Sequence, residues 1–148
     1  MQAEQLLVVI LRFGAVMTGS AFLSLPLSLA SMADVHRWLG MGELPQVPIV
    51  DYLARSVAAF YGFHGVLLFM LSTDIERYAR LIGMIAVTTV CFGLILLAID
   101  IHAGLPAYWM LGEGPPVAII GIVLLFLNGA AARQRESRIV QQLWKEHR

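Results

Sequence analysis

Residues 78–101 read YARLIGMIAVTTVCFGLILLAIDI, and no charged side chain stands between Arg80 and Asp100. A helix of that length rises far enough, at ~1.5 Å per residue, to cross a ~30 Å hydrocarbon layer. Working outward, three further apolar stretches have comparable reach: residues 5–30, 50–72 and 115–132. Short connections between long spans favour helical hairpins. The sequence therefore predicts an all-α protein. It is read as a four-transmembrane-helix antiparallel bundle, a single integral membrane domain over residues 1–148 with a cytoplasmic tail at 133–148.

Composition points the same way. Hydrophobic residues make up 59% of the 148 and charged residues 14%, against roughly a quarter charged in soluble domains, and mean hydropathy is +0.77. The formal net charge of +0 conceals an asymmetry. Of the ten basic residues, Arg12, Arg77, Arg80, Arg133, Arg135, Arg138, Lys145 and Arg148 fall on one side of the proposed membrane, and only Arg37 and Arg55 on the other. The positive-inside rule then puts both termini of this several-times-crossing chain in the cytoplasm. The basic tail reads as an anchor at the lipid surface, with no nucleic-acid partner expected.

The single cysteine, Cys91, excludes an intrachain disulfide and any multi-cysteine metal site. The first span carries Arg12, and Glu4 stands where a signal peptide would have a basic region, so it is expected to be retained as a helix. Pro26 should kink or end that helix. Ser20, Ser24 and Ser28, spaced by four, should share a face that packs inside the bundle. In the outer loop, Ser31 with Asp34 resembles a helix start, and Val35, Trp38, Leu39 and Met41 give an apolar edge, so a short interfacial helix is expected there. Ser72 or Thr73 should cap the third helix. Gly62 and Gly65 should admit a neighbouring helix or a flat ligand. Past Ala132 the spacing of Ile139, Val140, Leu143 and Trp144 predicts an amphipathic C-terminal helix.

Two groups of residues are candidates for chemistry. Inside the membrane, Arg12 and His64 lie at similar depths counted from the inner surface, and intramembrane ionisable groups are costly enough to suggest a ligand-binding role. Asp51 and Arg55, one turn apart, add a pair at the outer end of the second span. The competing account has Arg12 snorkelling to the surface and His64 hydrogen-bonded across the bundle. At the outer level, His36, Asp100, His102 and Glu113 are residue types that bind metals in bundles. Asp100 and His102 point about 200° apart on a continuous helix, so they converge only if the helix ends between them. The alternative for this cluster is an ion-pair network in which Arg37 and Arg55 neutralise the carboxylates. No catalytic residue and no cofactor are predicted; a quinone, a lipid or a metal ion would suit these groups.

Arg12-Phe13-Gly14 in the first helix and Arg55-Ser56 with Tyr61-Gly62 and Gly65 in the second resemble the small bacterial four-helix membrane proteins of the DoxX-like kind. The resemblance covers most of the chain as architecture. It implies a membrane subunit of the sort associated with quinone-linked oxidoreductases, and it carries over no active-site residue. His36-Arg37-Trp38-Leu39-Gly40 and the loop holding Asp100 and Glu113 depart from that pattern. The functional expectation is a non-catalytic structural or accessory subunit in a bacterial inner (plasma) membrane, with the bilayer and other membrane subunits, or further copies of itself, as partners. The alternative is a small membrane enzyme or a lipid- or quinone-binding protein that uses the outer Asp/His/Glu cluster.

Overall fold

A computed structural model describes residues 2–146, the side chain of Glu146 excepted; Arg148, counted above among the basic residues, lies outside the described residues. The described residues are mostly helical: α1 (Gln2–Gly19) continues as a 3₁₀ turn (Ser20–Ser24), followed by α2 (Leu29–Trp38), α3 (Pro48–Thr73), α4 (Ala79–Ala103), α5 (Ala107–Gly112) and α6 (Gly114–Glu146). No strand occurs among the described residues. Four segments are long and apolar enough to span a membrane: Gln2–Ser24, Pro48–Thr73, Ala79–Ala103 and Ala107–Lys145.

The boundaries have local causes. The first span stops short of the expected Ala30. It tightens to a 3₁₀ turn at Ser20 and ends at Ser24, just before Pro26, whose ring and missing N–H oppose a further turn. Within the tightened turn, Ser20 and Ser24 donate to Met17 O and Ala21 O at 2.7 and 2.8 Å. With three residues per turn, the expected four-residue stripe of serines does not form. Ser28 instead caps α2, its Oγ accepting from Ser31 N at 3.1 Å. The cap expected at Ser31 therefore falls one turn earlier. Gly40, at φ 73°, follows the end of α2 in the left-handed region that glycine tolerates. Pro48 opens α3, and Pro115 and Pro116 lie in the first turn of α6, where a missing amide costs no helical bond.

Ser72 and Thr73 belong to α3 rather than capping α4. Asp74 takes up the turn, its Oδ1 accepting from Arg77 N at 3.0 Å. At the far end of α4, Leu105 N donates to Asp100 O and Gly104 N to Ile101 O. Gly104 sits at φ 67°, so a Schellman-type closure ends the helix. The tail is not a separate helix: α6 runs unbroken from Gly114 to Glu146.

Two compact units divide the chain, Leu11–Met70 on the one hand and the described residues of 1–10 with 71–148 on the other. In the first, the end of α1 and the 3₁₀ turn pack on α3 in opposite chain directions. Gly14 neighbours Leu68, Gly65 neighbours Ala15 and Gly19, and Gly62 neighbours Phe22. A Cβ on Gly65 would come within 2.5 Å of Gly19 N and 2.7 Å of Ala15 O. The backbones thus touch, as small residues permit in apolar surroundings. The space over Gly62 is filled by the Phe22 ring, which stands edge-on to Phe63 with centroids 5.4 Å apart. A helix, and not a flat ligand, occupies this glycine surface.

In the second unit α4 packs along α6, again in opposite directions. A Cβ on Gly93 would lie 2.5 Å from Ala118 N and 2.6 Å from Gly114 O, and one on Gly121 would lie 2.7 Å from Val90 N. Asn128 Nδ2 donates to Ala79 O at 2.9 Å. Leu7, Leu71 and Ile82 are fully buried in this unit. Phe60, Phe63, Phe126 and Ile122 remain outward on their helices, as side chains facing lipid would.

Candidate functional site

Arg55 is the most fully engaged ionisable group in the spans. One turn of α3 brings its Nε to 2.9 Å from Asp51 Oδ1. Its Nη2 donates to Leu27 O at 3.0 Å, and its Nη1 donates to Leu25 O. The chain between the 3₁₀ turn and α2 has carbonyls with no helical partner on either side of Pro26. The planar guanidinium reaches both while keeping its carboxylate. The pairing of Asp51 with Arg55 expected from sequence is present, and the carbonyl clamp is an addition that spacing did not reveal.

Arg12 is exposed on α1 and His64 half-buried on α3. The contacts of Gly14 with Leu68 and of Phe22 with Gly62 set the register between the two helices. That register offsets Arg12 from His64 by about six residues, or ~9 Å along the axis. The structure does not bring these two side chains together. Gly65, beside His64, is where the α1 backbone comes closest.

The outer-level candidates separate in a way that helix geometry explains. Because α4 continues through Ala103, Asp100 and His102 keep their divergent directions: Asp100 is 3% exposed and His102 is open. Asp100 follows Gly93 and Leu97 on one face of α4, and both of those meet Gly114. Its Oδ2 is buried and meets no hydrogen-bond donor among the described residues. Glu113 accepts from Trp109 Nε1 at 2.6 Å. His36 Nδ1 lies 3.0 Å from Gly42 O, to which it donates. Among the described residues, no three His, Cys, Asp or Glu side chains gather as a metal site would need.

Arg37 forms its own network. Its Nε and Nη2 reach Glu43 at 2.9 and 3.1 Å and its Nη1 reaches Asp34 at 3.1 Å. These hydrogen bonds, and then the charge of Arg37, hold the Glu43 carboxyl below the usual carboxylate range; the Glu43 contacts raise Arg37 in turn. All three side chains are well exposed, so the network orders the loop and adds little stability.

A cluster that sequence reasoning does not find lies on α6. Glu4 of α1 pairs with Arg135 at 3.3 Å and with Arg138 at 2.6 Å. The Arg135 side chain is 13% exposed, and its Nη2 is buried without an acceptor among the described residues. In the sequence Glu4 stands out only as a departure from a signal peptide, and its wide separation from Arg138 leaves no local signal of the pairing. No protein-family model, curated protein or solved structure matches this chain.

Proposed function

We propose that the chain is a multi-pass protein of a bacterial inner membrane, its four spans forming an antiparallel bundle with both termini in the cytoplasm, and that it acts as a non-catalytic structural or accessory subunit. The observation that carries this reading is the use made of polar groups in and near the spans. Arg55 is spent on Asp51 and on the carbonyls of Leu25 and Leu27, Asn128 on Ala79 O, and Thr18 and Thr89 on carbonyls of their own helices. Glycines meanwhile bring helix backbones into contact. The bonds of Arg55 and Asn128 that join different segments, together with the glycine contacts, stabilise helix association in lipid, whereas the two threonines satisfy themselves within their own helices. Helix α2, with Trp38 exposed, would lie at the interface, and the layout resembles that of the DoxX-like membrane proteins.

The test is native mass spectrometry of the gently solubilised protein from its own host. A reproducible partner or a defined homo-oligomer is the expected result; a monomer carrying a small-molecule mass would overturn it.

One observation favours a second reading, a membrane enzyme or a lipid or quinone binder. Asp100 is buried with one carboxylate oxygen unpartnered, and such a group is costly unless something donates to it. On that reading the small-molecule mass is present and is lost in Asp100→Asn. The Arg12, His64, Arg55 and Asp51 set, and the His36, Asp100, His102 and Glu113 set with a metal ion, remain proposals of this second kind.

A further inference from the structure

Ala130, Arg133, Gln134, Ser137, Arg138 and Gln141 line an open groove of about 430 Å³ on α6. Their spacing by three and four places them on one helix face. Counting from Gly114, at ~1.5 Å per residue, Arg133 stands about 28 Å along the helix, where a ~30 Å hydrocarbon layer gives way to headgroups. The charge there is unbalanced. Arg133 has no ion pair among the described residues, Arg135 and Arg138 share the one carboxylate of Glu4, and Nη2 of Arg135 lacks an acceptor. Three guanidinium groups, Arg133, Arg135 and Arg138, against the two carboxylates of Glu4 and Glu136 leave one surplus positive charge beside an open groove.

We propose that this groove binds the phosphate of an anionic phospholipid of the surrounding bilayer, with Arg133 and Arg138 as its principal donors. A guanidinium presents parallel N–H groups that match two phosphate oxygens. Headgroup depth and cationic surplus coincide at the groove, and that coincidence distinguishes it from a basic residue that merely flanks a span. Glu4 holds Arg138 at the groove edge and leaves Arg133 free to engage. The site stands whether or not the chain has a protein partner.

The experiment uses the full chain, delipidated in a neutral detergent and titrated with short-chain phosphatidylglycerol, phosphatidylcholine or inorganic phosphate while phosphorus NMR follows binding. Phosphatidylglycerol should bind in preference to phosphatidylcholine. Its affinity should fall about tenfold or more in the R133Q/R138Q double variant, which removes two cations from the surface. The R77Q/R80Q double variant, with the same loss of charge elsewhere, should bind nearly as the wild type does. Equal weakening in both double variants would make the effect one of net charge and overturn the proposal. Equal binding of the two lipids by the wild type would do the same, and that comparison decides the matter even if R133Q/R138Q fails to fold. Inorganic phosphate binding as tightly as phosphatidylglycerol would assign the groove to free phosphate and overturn the lipid.

Discussion

Arg55 shows how much one side chain can organise. In Arg55→Leu the carbonyls of Leu25 and Leu27 lose their donor and Asp51 its cation. These groups are part-buried or exposed, so the loss should lie at the low end of the cost of an unpaired polar group, about 1 kcal/mol, read as easier unfolding in detergent by circular dichroism. Arg55→Lys should recover only part of the loss, since an ammonium has no fork to span two carbonyls and a carboxylate. Asp51→Asn should cost less, because the pair is about a third exposed. Outside the membrane, Glu43 gives a pH dependence. Its folded pKa is depressed by Arg37, so its contribution is present above the unfolded glutamate value of about 4.3 and is lost as pH falls through the lower folded value. Fluorescence of Trp38, adjacent to Arg37, should hold steady from neutrality down to that range and change only below it, and the acid change should be absent in Glu43→Gln. At this scale sequence is a fair guide to neighbours along a helix, such as Asp51 with Arg55. It is blind to Glu4 with Arg135 and Arg138, because residues that far apart in the chain meet only through packing.

Among the elements, glycine contacts separate packing positions from bystanders. Gly65→Ala and Gly93→Ala each drive a Cβ to 2.5 Å from the backbone of a neighbouring helix, which cannot move aside as a side-chain tip can. Each should destabilise by about 1–3 kcal/mol, the ordinary cost of overpacking. Gly129→Ala meets only the end of Arg133 at 3.9 Å and should be neutral or mildly stabilising, through the better helix propensity of alanine. Thermal unfolding of the three variants in one detergent checks the contrast. Apolar length is legible in the sequence, and all four expected spans correspond to long helices. Their ends are less so. Pro26 suggests a kink in a span reaching residue 30, but the 3₁₀ tightening at Ser20 arises from backbone geometry that hydropathy does not encode. A helix start at Ser31 looks as good on paper as the one Ser28 makes, since both are serines preceding a helical pattern and only backbone conformation decides between them.

Across the whole molecule, four helices are long and apolar enough to cross a membrane, and length with hydropathy carries that much without any site. The candidate site is less legible, because convergence depends on where helices stop. Asp100 and His102 could converge only if α4 ended between them, and the helix instead continues through Ala103, which keeps them turned apart. The unbroken course of α6 from Gly114 to Glu146 has a mechanical consequence. At ~1.5 Å per residue it is a rod of about 50 Å, so the azimuth of its last turns is locked in phase to Gly121, where α4 grips it. Inserting one alanine after Ala132 should swing everything beyond by about 100° and pull Arg135 and Arg138 away from Glu4, whereas four alanines should restore the phase to within about 40°. Cross-linking between cysteines placed at Glu4 and Arg138 should vanish with one added residue and return in part with four. The far end of this helix is thus expected to turn like a dial with any rotation of the half that α4 grips.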